Sequence, residues 1–205
     1  MQIYNLFPGS FASNCYLLIA DGHAAVIDPS ANADTILAEV KKSGAVLDKI
    51  LLTHGHFDHI FSLDELREKS NASAYIHKDD ADMPEDALKN AFYTFFHSLR
   101  SYRRPEHLLQ DKDELTLGDE KITVLHTPGH TKGSVCYLCG DSLLLTGDTL
   151  FYGNIGRCDL YGGDEGELRS SLHFLRTLPP QLRIYPGHGE SCSLGEALNS
   201  LYFYD

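Results

Sequence analysis

Residues 54–59 read His-Gly-His-Phe-Asp-His, directly after the apolar run Ile50-Leu51-Leu52-Thr53. Three imidazoles and one carboxylate within six positions offer the nitrogen and oxygen donors that zinc, iron and manganese accept. A loop at the end of a buried strand is a rigid place from which to present them. Three later segments repeat the arrangement. Thr127-Pro128-Gly129-His130 follows a strand predicted over 121–125, Gly147-Asp148 one over 143–146, and Pro186-Gly187-His188-Gly189 one over 182–185. Glycine beside a ligand lets the backbone turn sharply and approach closely. His54, His56, Asp58, His59, His130, Asp148 and His188 make seven candidate ligands. That is too many for one tetrahedral ion and suits two ions sharing a bridging carboxylate.

The elements that must position these residues alternate between strand and helix. Asp21-Gly22-His23 is a hairpin turn between strands over 14–20 and 24–27, and Asp28-Pro29-Ser30 stops the second. Helical spacing over 33–42 puts Ile36, Leu37 and Val40 on one face, and Ser43-Gly44 ends it. A strand over 46–52 completes a β-α-β unit leading into the hexad. A helix over 61–69 and a strand over 72–76 follow. Further strands are predicted over 121–125, 134–138, 143–146 and 182–185, with helices over 167–178 and 195–201. The pattern is a single α/β domain spanning 1–205.

Segment 78–110 differs. It combines acids, a row of aromatics (Phe92, Tyr93, Phe95, Phe96, Tyr102) and a basic cluster (Arg100, Arg103, Arg104). It is expected to be helical from about 86 to 100. It then either packs its aromatic face on the domain or covers the site with its arginines placed for an anionic substrate.

The 205 residues are 42% hydrophobic, enough for a sizeable core. A formal charge of −12 argues against nucleic acid or an anionic membrane as partner and leaves a small-molecule substrate. The first residues lack a basic start and a long apolar core, no stretch is long enough to span a membrane, and the five cysteines are odd in number and scattered. A cytoplasmic location is expected. Cys136 and Cys139 form a C-x-x-C spacing on a predicted strand, whose period of two sends the thiols to opposite faces. The sequence leaves the oligomeric state open.

The intact H-x-H-x-D-H hexad and the ordered later His, Asp and His closely resemble the metallo-β-lactamase fold superfamily. Gly147-Asp148-Thr149-Leu150-Phe151, followed by Gly156-Arg157-Cys158-Asp159, is similar to the G-D-T-L-F…G-R-x-D run of small bacterial glyoxalase II-like hydrolases. The resemblance implies a four-layer αβ/βα sandwich, two mixed sheets flanked by helices, with the site at one edge. It implies that His54, His56 and His130 hold one metal, that Asp58, His59 and His188 hold a second, and that Asp148 bridges them. Zinc is the expected metal, with iron or manganese as alternatives. The implied reaction is hydrolysis of an acyl-glutathione-like thioester by a metal-bridging hydroxide, with Asp58 orienting the hydroxide and taking its proton.

Arg157 and Asp159 are candidate substrate contacts, Tyr137 and Lys132 candidates for the pocket rim, and Cys158 a small filler. His126 is the candidate for supporting a ligand from behind; His23, His77, His97, His107 and His173 are read as surface or structural. True β-lactamases generally lack the last His of the hexad, which separates them from this chain. Full-length glyoxalase II enzymes carry a C-terminal helical domain that helps bind glutathione; no counterpart is expected after His188, and segment 78–110, with Arg100, Arg103 and Arg104, is the candidate that could substitute. The alternatives are a persulfide dioxygenase binding one iron through His54, His130 and Asp148, a lactonase, and a non-catalytic binding module.

Overall fold

The computed structural model describes residues 1–6, 11 and 13–201. Strands β1 (Gln2–Asn5), β2 (Tyr16–Ala20), β3 (His23–Ile27), β4 (Val46–Leu51), β5 (Ser73–His77) and β6 (His107–Leu109) form one six-stranded sheet in that spatial order. Its first three strands pair antiparallel and β3 to β6 pair parallel. The second sheet contains β7 (Glu114–Leu117), β8 (Glu120–His126), β9 (Val135–Cys139), β10 (Leu143–Gly147), β13 (Arg183–Pro186) and β14 (Cys192–Ser193). Its order is β14-β13-β10-β9-β8-β7, and only the β10–β13 pair is parallel. A two-stranded ribbon, β11 (Leu150–Phe151) with β12 (Asn154–Ile155), follows Asp148.

The period of two in each strand builds the layers. Leu18, Ile27 and Leu51 of the first sheet meet Val124, Tyr137 and Leu145 of the second in the core between the sheets. The opposite face of the first sheet packs Leu17, Val26 and Ile50 under helices α1 (Ala33–Ser43) and α2 (Leu63–Ser70). The opposite face of the second packs Cys136, Leu144 and Ile184 under α4 (Glu165–Leu175) and α5 (Leu194–Asn199). The architecture is the expected four-layer sandwich. Cys136 and Cys139 fall in different layers, both buried and free.

Segment 78–110 departs from the expected long helix. Its helical part is a short turn over Lys78–Asp80 and the five-residue α3 (Phe92–Phe96). Ala91 and His97 at the two ends of α3 both have left-handed backbone, at φ 67° and 51°, which a continuing helix cannot contain. Buried Asn90 holds the break: its amide donates to the carbonyls of Pro84 and Arg100, and its oxygen accepts from the Phe92 N–H. The arginines are engaged elsewhere. Arg100 lies 3.8 Å over the Phe61 ring and donates to the Phe61 carbonyl. Arg103 pairs with Asp64, and Arg104 lies 3.7 Å from Glu85. Among the described residues lining the metal cavity there is no arginine from this segment; its aromatics Phe95 and Phe96 do line it.

Candidate metal centre

The loops after β4, β8, β10 and β13 meet at one edge of the sandwich, and all seven expected ligands converge there. The nitrogens His56 Nδ1 and His54 Nε2 lie 2.9 and 3.2 Å from His130 Nε2. Asp58 Oδ2 lies 3.6 Å from His59 Nε2 and 3.4 Å from His188 Nε2. Asp148 stands between the two groups: Oδ1 is 3.3 Å from His59 Nε2, and Oδ2 is 3.6 Å from both His130 Nε2 and His188 Nε2. Two triads of donors, His54/His56/His130 and Asp58/His59/His188, each lie within a sphere that one ion could fill.

Glycine makes this convergence possible. A Cβ on Gly187 would overlap Asp148 Oδ1 and stand 2.6 Å from His59 Cε1. At Gly147, with φ 48°, a side chain would stand 2.6 Å from Thr53. The loops can cross at this distance only because these positions carry no side chain.

The donor set fits divalent cations. Among the described residues, His59 Nε2 and Asp148 Oδ1, which face each other across the site, are buried with no hydrogen-bond partner. Orphaned buried polar atoms are costly, and a shared cation satisfies them. Burial, reinforced by neighbouring imidazoles, holds His54 well below the usual histidine range and His56 down at about 3, so both present neutral nitrogens. Burial alone would raise Asp148, but the imidazoles of His59, His130 and His188 hold it at about 2. Burial works likewise against Asp58, and His59 and His188 overcome it and keep the carboxyl below its ordinary value. Neutral imidazoles and ionised carboxylates are the forms that coordinate; against their burial, the facing Asp148 and Asp58 hold His59 and His188 above the ordinary histidine range, and these two would release that proton on binding a cation.

Buried groups behind the ligands orient them. Asp28 Oδ2 accepts from His59 Nδ1 at 2.9 Å and from the Thr53 hydroxyl at 2.6 Å, while its Oδ1 accepts from the Thr53 N–H at 2.7 Å. Thr53 Oγ1 lies 3.0 Å from His54 Nδ1. His130 Nδ1 donates to the Arg157 carbonyl at 2.7 Å. The Ser13 hydroxyl donates to Asp58 Oδ2 at 2.9 Å. Asp80 is fully buried; burial raises its carboxyl to about 6 against the lowering effect of the donors it accepts from. Carboxylates and carbonyls that take the second ring N–H of a histidine fix its tautomer and direction. Sequence reasoning missed Asp28, Thr53, Asp80 and Ser13. Only Asp28, at a strand end before Pro29, carried a local signal.

Among the described residues, Phe11, Phe57, Phe95, Phe96, Ala91 and Leu160 line a cavity of about 300 Å³ over the ligands, together with Arg157. Arg157 thus reaches the cavity, but Asp159 is not among its lining. The two form an exposed ion pair with contacts of 2.6 and 2.7 Å. Two expectations are corrected. Tyr137 is fully buried between the sheets and donates to the Leu52 carbonyl at 2.7 Å, because it shares a strand face with Val135 and Cys139. Lys132 is exposed and lines a different hollow with Asp79 and His126.

His126 does not support a ligand; its Nε2 donates to the Lys132 carbonyl at 2.8 Å, and its ring stacks on His77 at 4.0 Å and 13°. His77, Asp79 and His126 bring donors together. The near-parallel rings, however, direct their in-plane lone pairs side by side rather than at one ion. Cys158 is half-buried; burial and nearby Glu165 and Asp164 raise its thiol, as suits a filler rather than a nucleophile.

No helix among the described residues is long and apolar enough to cross a membrane. The model of the metallo-beta-lactamase superfamily matches residues 8–188. A probable metallo-hydrolase, YqgX of Bacillus subtilis (strain 168), is 38% identical over 183 residues, covering 88% of this chain and 87% of that protein. The crystal structure of BLEG-1 B3 metallo-beta-lactamase is 32% identical with a TM-score of 0.91, covering 99% of each chain. That of TTHA1623 in a di-iron-bound form is also 32% identical, with a TM-score of 0.84 over 99% of this chain and 100% of that one. With its sandwich architecture and its clustered His and Asp donors, the chain belongs to the metallo-β-lactamase superfamily and is a metal-dependent hydrolase of that family.

Proposed function

We propose that the protein binds two divalent metal ions, zinc foremost, and hydrolyses a thioester. His54, His56 and His130 would hold the first ion, Asp58, His59 and His188 the second, and Asp148 both. The di-iron form of TTHA1623 supports two positions in a relative of this architecture. Bound ions of this kind bring the pKa of water toward neutrality and polarise an acyl oxygen. Asp58, kept ionised and steadied by the Ser13 hydroxyl, orients the attacking water and accepts its proton. The aromatic walls from Phe11, Phe57, Phe95 and Phe96 receive an apolar acyl group and exclude bulk water, with α3 as the cover.

One observation carries the substrate class. Apart from the ligands themselves, the only ionisable side chain among the described residues lining the cavity is Arg157, which stays charged and is no general acid. Beyond the one proton that Asp58 has taken from the water, a leaving group must therefore depart without help from a protein acid. A thiolate does so near neutral pH, whereas an alkoxide or an amide nitrogen does not.

The likeness to BLEG-1 brings β-lactam ring opening among the reactions to compare, although His59 had pointed away from it. Metal-replete protein assayed with an acyl thioester, a lactone and a cephalosporin is expected to favour the thioester in kcat/KM by about 10² or more, the usual worth of a missing general acid. A preference for either of the others contradicts the thioester reading. Oxygen uptake with a persulfide by protein holding one iron would establish the dioxygenase alternative.

A further inference from the structure

Asp80 ends the short helical turn Lys78–Asp80, 22 positions beyond Asp58, and is 0% exposed. Its Oδ1 accepts from the Gly133 N–H at 2.7 Å. Its Oδ2 accepts from the Thr131 hydroxyl at 2.6 Å and from the Gly55 N–H at 3.2 Å. Gly55 is the residue between His54 and His56, and Thr131 follows His130. One buried carboxylate therefore ties together the two loops that supply the first triad. The fit is close: a Cβ on Gly133 would stand 2.6 Å from the Asp80 backbone nitrogen and 2.7 Å from its Cβ and Cγ.

The second triad has a different anchor. Asp28 accepts from His59 Nδ1, and Ser13 donates to Asp58. None of the hydrogen bonds of Asp80 reaches Asp58, His59 or the loop of His188. The two loops held by Asp80 come from different sheets, β4 in one and β8 in the other, and their relative placement sets the 2.9 and 3.2 Å separations of the three ligand nitrogens.

We infer that Asp80 is a positioning residue for the first metal position alone, acting by holding the His54-Gly55-His56 loop against the His130 loop. Asparagine at this position would turn an NH₂ group toward a donor it now accepts from, so at least one of the three bonds is lost and the loops separate. The inference rests on the two-position reading above, and it predicts a selective defect that a merely structural carboxylate would not give.

The test uses full-length protein in two backgrounds. Asp58→Ala with His188→Ala leaves the first position; His56→Ala with His130→Ala leaves the second. Zinc affinity is measured in each by competition with a chromophoric chelator, beside circular dichroism for the fold. Asp80→Asn is expected to weaken zinc about 10–100-fold in the first background, the usual effect of losing a group behind a ligand, and to leave the second unchanged. Thr131→Val, which removes one donor and keeps the carboxylate, is expected to act in the same direction in the first background only, and it carries the test if Asp80→Asn does not fold. Equal weakening in both backgrounds, or none in the first, overturns the inference. Absence of zinc binding in the first background with Asp80 intact overturns the two-position reading itself.

Discussion

On the proposed two-metal thioesterase reading, replacing Asp148 by alanine is expected to lower kcat/KM for the thioester by about a thousandfold or more, because one change would remove a ligand from both metal positions. Asp148 places an oxygen near each triad, with Oδ1 at 3.3 Å from His59 Nε2 and Oδ2 at 3.6 Å from His130 Nε2. Two divalent cations a few ångströms apart repel strongly in a buried site, and an anion between them offsets that repulsion. Without it the two positions cannot both be filled at moderate metal concentration. The variant should nevertheless fold, since the packed apolar layers do not include Asp148. Steady-state kinetics and metal content on the same sample check the prediction. A variant that keeps both ions and the parent rate would show that Asp148 bridges nothing.

Asp28→Asn is expected to cost about 3–5 kcal/mol of stability, the range for breaking a buried, hydrogen-bonded ionic arrangement by removing one partner. Asp28 is 2% exposed and accepts from the Thr53 N–H, the Thr53 hydroxyl and His59 Nδ1. Its backbone is left-handed at φ 51°, a conformation that asparagine tolerates as well as aspartate, so the substitution isolates the carboxylate from backbone strain. Asparagine presents one oxygen and one NH₂ to three donors, leaving at least one buried donor unsatisfied. Guanidinium unfolding of the metal-free proteins measures the difference, which should appear in the midpoint with the slope unchanged. A cost below about 1 kcal/mol, the net worth of a single ordinary hydrogen bond, would mean that Asp28 is not the anchor described here.

The ligands were legible in the sequence because each depends on local chemistry: an apolar strand, a turn rich in small residues, then a donor side chain. That signal needs no knowledge of what lies across the fold. The residues behind the ligands were not legible for the opposite reason. Asp28 meets Thr53 across 25 positions, and Asp80 meets Gly133 across 53. Nothing in the neighbouring residues marks Asp80 among the acids of its segment.

Two errors have simple physical sources. Tyr137 could have been excluded by strand parity, since residues two apart share a face and its neighbours Val135 and Cys139 belong to the core between the sheets. In segment 78–110, aromatics at 92, 93, 95 and 96 imitate the spacing of a longer helix. The left-handed residues Ala91 and His97 that confine it are neither glycine nor asparagine, so the sequence gives no warning of the breaks. Among the strands, β1 and β6 lie at the edges of the first sheet and β14 at an edge of the second, and these short segments carry little of the apolar alternation that marks the central ones.

Metal content by mass spectrometry, on protein purified without chelator and normalised to chain concentration, bears most directly on the seven-ligand centre. The proposed two-metal centre predicts about two equivalents of divalent transition metal per chain, zinc foremost. Retention of no metal after incubation with excess zinc, in protein whose fold is intact, would contradict it.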